Sequence, residues 1–168
     1  MLALIDSHSH FDDARFDLDR DAAYHRARAA GVKAQVLAAV SVRLWPQLKT
    51  VAARYPGLYP SYGLHPAYLA EHQPAHLDAL ADWLSREHPV AIGECGLDYY
   101  LPDLDPDLQI EYFTGQLHLA HRYNLPVIIH ARHAVDAVIK QVRRYPRVRG
   151  VVHSFSGSTD QAQRLLDL

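Results

Sequence analysis

A second cysteine is missing. Cys95 stands alone, so an intramolecular disulfide is excluded and a reducing compartment, the cytoplasm, is expected. Long apolar runs are missing too: none approaches the roughly 20 residues of a membrane-spanning helix. The apolar start of the chain is too short for a signal segment and is stopped by Asp6. No membrane partner is therefore expected. Neither sign of charge dominates, with 17 Lys and Arg against 19 Asp and Glu, for a formal net charge of -2. No global positive field draws this chain to nucleic acid, so such a contact must come from a local patch or from metal ions. Linkers and low-complexity stretches are also absent. The 168 residues suffice for one domain with a sizeable core. What the chain does have is histidine, 12 of them.

The order of apolar segments predicts six strand-helix units. The first strand ends in Asp6-Ser7-His8-Ser9-His10, and a polar loop over residues 11–15 follows. A helix is expected over residues 17–30, stopped by Gly31. Further strands are expected over residues 35–40, 58–62, 89–94, 126–130 and 148–153. Between them, Leu44, Leu48, Val51 and Ala52 share one helix face, as do Leu77, Leu80, Ala81 and Leu84 after Pro74. A long loop is expected over residues 95–105, then a helix opened by Asp105-Pro106 and reaching Tyr123, with Asn124 as its stop. Val135, Val138, Ile139 and Val142 mark the next helix, and Ser158-x-x-Gln161 is a capping box for the last. Strands alternating with helices imply a parallel sheet with right-handed crossovers. In such folds ligands gather at the carboxyl ends of the strands.

Those ends carry metal-ligand side chains. His8 and His10 lie two apart on a strand and so point the same way, a clamp for a divalent cation. Later strands end in Glu94, His130 and His153. Each of these alone reads as a salt-bridged or hydrogen-bonded structural residue; four strands ending alike reverse that reading. A carboxylate between two histidine pairs can bridge two cations, which together activate water and stabilise the charge of an in-line displacement. His65, after Gly63-Leu64, either reaches a phosphate or is a turn residue held by Pro66, and Arg132 either clamps a phosphate bidentately or bridges to a nearby carboxylate. Tyr99 and Tyr100 either stack on bases or pack over the rim. Arg143, Arg144, Arg147 and Arg149 read as a solvated face, and Cys95 as a buried thiol.

Five blocks resemble the signature of the TatD family of metal-dependent hydrolases: Asp6-Ser7-His8-Ser9-His10-Phe11-Asp12, Gly63-Leu64-His65-Pro66, Ile92-Gly93-Glu94-Cys95-Gly96-Leu97-Asp98-Tyr99, Pro126-Val127-Ile128-Ile129-His130 and Val152-His153-Ser154-Phe155-Ser156-Gly157-Ser158. They follow in family order over almost the whole chain. The resemblance implies an α/β, TIM-like barrel and a divalent-metal deoxyribonuclease acting on DNA or another nucleic acid. It implies that His8 and His10 hold one metal, that Glu94 bridges and is catalytic, and that His130 and His153 hold a second. The two ions would be zinc, magnesium or manganese.

Two departures qualify it. The family supplies a further aspartate ligand from later strands, beyond Leu168 here, and Ser-Arg-Asp is replaced by Ala131-Arg132-His133. A full barrel needs eight strands and about 250 residues. The chain is therefore expected to be a single domain, residues 1–168, truncated to about six units, with two open sheet edges. The alternatives are an amidohydrolase-type deacylase acting on an ester or amide, or a degenerate non-catalytic module. Oligomeric state is left open.

Overall fold

In the computed structural model, which describes residues 3–168, six parallel strands form one sheet in the order β1-β2-β3-β4-β5-β6. The strands are β1 (Leu4–Ser9), β2 (Val32–Ala38), β3 (Leu58–Tyr62), β4 (Ala91–Asp98), β5 (Val127–Arg132) and β6 (Gly150–Val152). The helices are α1 (Arg20–Ala29), α2 (Trp45–Arg54), α3 (Ala75–Glu87), α4 (Pro106–Tyr123), α5 (Val135–Val142) and α6 (Thr159–Leu166). Each strand pairs in parallel with the next in sequence, so every connection crosses over to the adjacent strand. The sheet curls into part of a barrel. Its edge strands β1 and β6 approach at their carboxyl ends, where the rings of His8 and His153 stack with centroids 3.9 Å apart.

Local signals explain most boundaries. The Asp105 carboxylate accepts the amides of Asp107 at 2.9 Å and Leu108 at 3.3 Å, Pro106 fills the first turn, and Asn124 closes α4 in the left-handed region. Both halves of the Ser158–Gln161 capping box form. β4 is buried along its whole length, as a strand in the middle of a parallel sheet must be. Trp45, Tyr62, Phe113, Leu80 and Leu117 fill the space between sheet and helices.

Several expectations need correction. β4 does not stop at Glu94 but runs on to Asp98, and β5 runs to Arg132, because Gly96 pairs with His130 and Asp98 with Arg132. Gly96 makes this extension possible. Its φ of +132° suits glycine, and a Cβ there would collide with the His130 carbonyl oxygen. β6 is only three residues long; His153 follows it and is held by its N–H to the Ile129 carbonyl at 3.1 Å. α1 starts at Arg20, after a short 3-10 turn over Ala14–Phe16. Phe11 and Asp12 are buried, not part of a polar loop, because the buried Arg20 guanidinium donates to the carbonyls of Phe11, Asp12 and Asp13. Among the described residues no helix is long and apolar enough to cross a membrane.

Candidate metal centre

Glu94 sits at the centre of the strand ends and is 1% exposed. Its two carboxylate oxygens face two separate sets of imidazoles. Oε2 lies 3.1 Å from His8 Nε2 and 3.5 Å from His10 Nε2. Oε1 lies 3.1 Å from His65 Nε2, 3.1 Å from His130 Nδ1 and 2.6 Å from His153 Nε2. Residues from β1, β4 and β5, and from the segments after β3 and β6, therefore meet at one carboxylate. The strand period puts His8 and His10 on one face, and their Nε2 atoms lie 3.3 Å apart.

Backbone contacts decide which ring nitrogens carry protons. His10 Nδ1 lies 2.9 Å from the Ala38 carbonyl, which can only accept, so Nδ1 is an N–H; Nε2 donates to Glu94 when the ring is protonated and presents its lone pair there when it is neutral. His65 is the opposite case. Its Nδ1 accepts the Ala67 amide at 3.0 Å, so the proton sits on Nε2 and is donated to Glu94. His8 Nδ1 is buried with no hydrogen-bond partner among the described residues, and its Nε2 faces Glu94. A lone pair aimed at a carboxylate, as at His10, needs a proton or a cation between the two. Imidazole nitrogens around a shared carboxylate are a donor set suited to zinc and similar divalent ions. Among the described residues, two sets of three have donor atoms within 4.8 Å of one another: His8, His10 and Glu94, and His65, Glu94 and His130.

The protonation shifts follow from this packing. Burial alone would raise the Glu94 carboxyl. Hydrogen bonds from His10, His130, His153 and His65 outweigh it and hold Glu94 well below the usual carboxylate range. The hydrogen bond to Glu94 raises His10 against the effect of burial. Burial would lower His130, but its bonds to Glu94 and Asp98 raise it. At His65 burial wins and the ring is pushed toward neutrality. The Cys95 thiol, fully buried, is pushed up and away from reactivity.

All five residues expected as metal ligands, His8, His10, Glu94, His130 and His153, are thus brought together. His65, expected only to touch substrate, lies inside the cluster as an N–H donor. Arg132 does not reach Glu94: it is exposed, with its guanidinium 3.6 Å from the centroid of the exposed Tyr100 ring. His133 meets the same ring edge-on. A cleft of about 400 Å³ borders His10 and His65 and is lined also by Arg15, Arg43 and Tyr68. The arginines at 143, 144, 147 and 149 are exposed, between the end of α5 and the start of β6.

Sequence reasoning missed the supports behind the cluster. Two buried glutamines on α4, seven residues apart, each grip one backbone residue with a full amide pair. Gln109 Oε1 accepts the Asp98 N–H at 2.7 Å, and its Nε2 donates to the Asp98 carbonyl at 3.0 Å. Gln116 does the same for Leu64, next to His65, at 2.8 and 3.1 Å. The signal available was a polar side chain repeating on the inner face of a helix.

The model of TatD-related DNases matches residues 5–168. The chain belongs to the TatD-related DNase family. This TatD-family chain is 39% identical over 167 residues to the uncharacterized metal-dependent hydrolase YjjV of Escherichia coli K12, covering 98% of this chain and 64% of that protein. The crystal structure of that TatD homologue superposes with a TM-score of 0.92 at 39% identity, over 98% of this chain and 64% of the other. A second relative, named 3'-5' ssDNA/RNA exonuclease TatD, from Klebsiella pneumoniae, is 34% identical over 157 residues, covering 92% of this chain and 60% of the relative. The chain thus spans less than two thirds of the length of these relatives.

Proposed function

We propose that this chain carries the metal centre of a phosphodiesterase acting on nucleic acid, with two divalent cations bridged by Glu94. His8 and His10 together with Glu94 would hold one cation, and His130 and His153 together with Glu94 would hold the other. The observation that carries this reading is the division of one buried carboxylate between two groups of imidazoles. When bound, such a pair supplies Lewis-acid polarisation and a lowered pKa for water.

The chain's own residues do the rest. Glu94 stays ionised because its neighbours hold it so. His65, neutral and with its proton fixed on Nε2, donates that proton to Glu94 Oε1 and so holds the carboxylate in place between the two groups of imidazoles. Arg132, stacked on Tyr100 two residues beyond His130, presents a guanidinium to a flanking phosphate. A relative named as a single-stranded DNA and RNA exonuclease supports the choice of a phosphodiester over other esters.

The test is cleavage of end-labelled single-stranded DNA with manganese, magnesium or zinc, with and without chelator. Glu94→Gln keeps the shape of the side chain but removes the charge, and cleavage should vanish. Chelator-resistant cleavage, full activity in Glu94→Gln, or turnover of carboxylic esters but not of DNA would each refute the reading.

A further inference from the structure

His130 is placed between two carboxylates, one on each ring nitrogen. Nδ1 lies 3.1 Å from Glu94 Oε1, and Nε2 lies 2.9 Å from Asp98 Oδ2. An ionised carboxylate only accepts, so a nitrogen that bonds it must carry the proton. Both nitrogens cannot do so in a neutral ring, and the surroundings of Asp98 decide the matter. Its carboxylate is 2% exposed, and Oδ1 accepts the Tyr100 N–H at 3.0 Å, which fixes the direction of Oδ2. Gln109 holds the Asp98 backbone from both sides, at 2.7 and 3.0 Å. The β4–β5 register sets Asp98 beside Arg132 and Gly96 beside His130. Asp98 thus faces the far side of the His130 ring, away from the other imidazoles that surround Glu94.

We propose that Asp98 is a positioning residue that fixes His130 as the Nε2–H tautomer, so that Nδ1 is the nitrogen offered to a metal ion. The inference rests on the reading that the Glu94 cluster binds divalent cations. His10 obtains the converse arrangement from a neutral backbone carbonyl, that of Ala38. His130 obtains its own from a buried charge, which makes it the stronger donor of the two and confines the effect of Asp98 to the His130 side.

Asp98→Asn is the informative substitution. The amide oxygen can still accept the Tyr100 N–H, while its NH2 group faces Nε2 and forces the ring proton onto Nδ1. Long-range nitrogen–proton NMR of histidine-labelled, metal-free chain at about pH 9, above the ordinary histidine range, reads the tautomer. Zinc titration calorimetry reads the consequence. The native chain should show Nε2–H at His130 and Asp98→Asn should show Nδ1–H. Zinc affinity at the His130 position should fall about 10–100-fold, with the position held by His8 and His10 unchanged. Nδ1–H in the native chain, or zinc affinity in Asp98→Asn equal to the native value, overturns the proposal. If the variant does not fold, the native spectrum decides alone. A chain that binds zinc and responds to Asp98→Asn but cleaves no DNA keeps this inference and loses the proposed substrate. A chain that binds no zinc refutes both.

Discussion

Replacing Gln116 with leucine isolates what α4 does for the rim of the site. The side chain is fully buried, and leucine is close to it in volume, so the loss is not that of a cavity. What disappears is the amide pair with Leu64, whose N–H and carbonyl have no other protein partner among the described residues. The third bond of Gln116, to the Tyr112 carbonyl at 3.2 Å, is expendable, since that oxygen keeps its bond within the helix. An orphaned buried polar group costs about 1–3 kcal/mol, and two are created, so Gln116→Leu should destabilise the chain by about 2–6 kcal/mol. The lower end applies if the turn at Leu64 opens to water. That opening has its own signature. It moves His65, whose N–H bonds the Val40 carbonyl at 2.9 Å and whose ring bonds Glu94 at 3.1 Å. Urea unfolding followed by circular dichroism should show a lower midpoint at unchanged slope. His65 NMR signals should shift in proportion as the cost falls toward its lower end. A loss under about 1 kcal/mol with unmoved His65 signals refutes the assignment of Gln116 as the support of this turn.

Two further outcomes follow from the charges around Glu94. Its hydrogen bond raises His10, and its bond together with that of Asp98 raises His130 above the effect of burial, so both rings carry protons that a metal ion must displace. Zinc affinity should therefore increase with pH above the ordinary histidine value, with proton release seen as a calorimetric enthalpy that varies with buffer; a buffer-independent enthalpy refutes this. In the metal-free chain the same raised values contribute stability that is complete below the unfolded histidine pKa and is lost as pH rises through the folded values. The depressed Glu94 acts at the acid end, with its contribution present above the unfolded carboxylate pKa and lost as pH falls toward the folded one. Arg132→Ala should raise KM for DNA about tenfold or more, the worth of a charge-assisted bond, while leaving zinc affinity and folding stability unchanged. Reduced zinc affinity with unaltered KM would remove Arg132 from the substrate contacts.

The parts of this molecule legible in sequence are those governed by short-range rules. Alternation along β1 puts His8 and His10 on one face, Asp105-Pro106 starts α4, Asn124 ends it, and Ser158 caps α6. The expected strand ends and the family blocks both supplied Glu94 and the four histidines, His8, His10, His130 and His153, that the fold assembles around it. The proton positions were not legible, because each depends on a partner supplied by another segment or by the local turn. His10 owes its metal-ready nitrogen to a β2 carbonyl, and His65 loses its own to an amide two residues ahead, in the turn after β3. Two histidines that look alike in the chain therefore become a candidate ligand and a hydrogen-bond donor. Asp98 makes the same point from the acid side. Its distance from Glu94 along β4 follows the strand period, but its contact with His130 exists only because Gly96 lets β5 come close enough to extend the pairing by two residues beyond His130. A side chain at position 96 would part the strands just where the carboxylate must meet the imidazole. The chemistry of the centre thus depends on a residue that has no side chain to contribute to it.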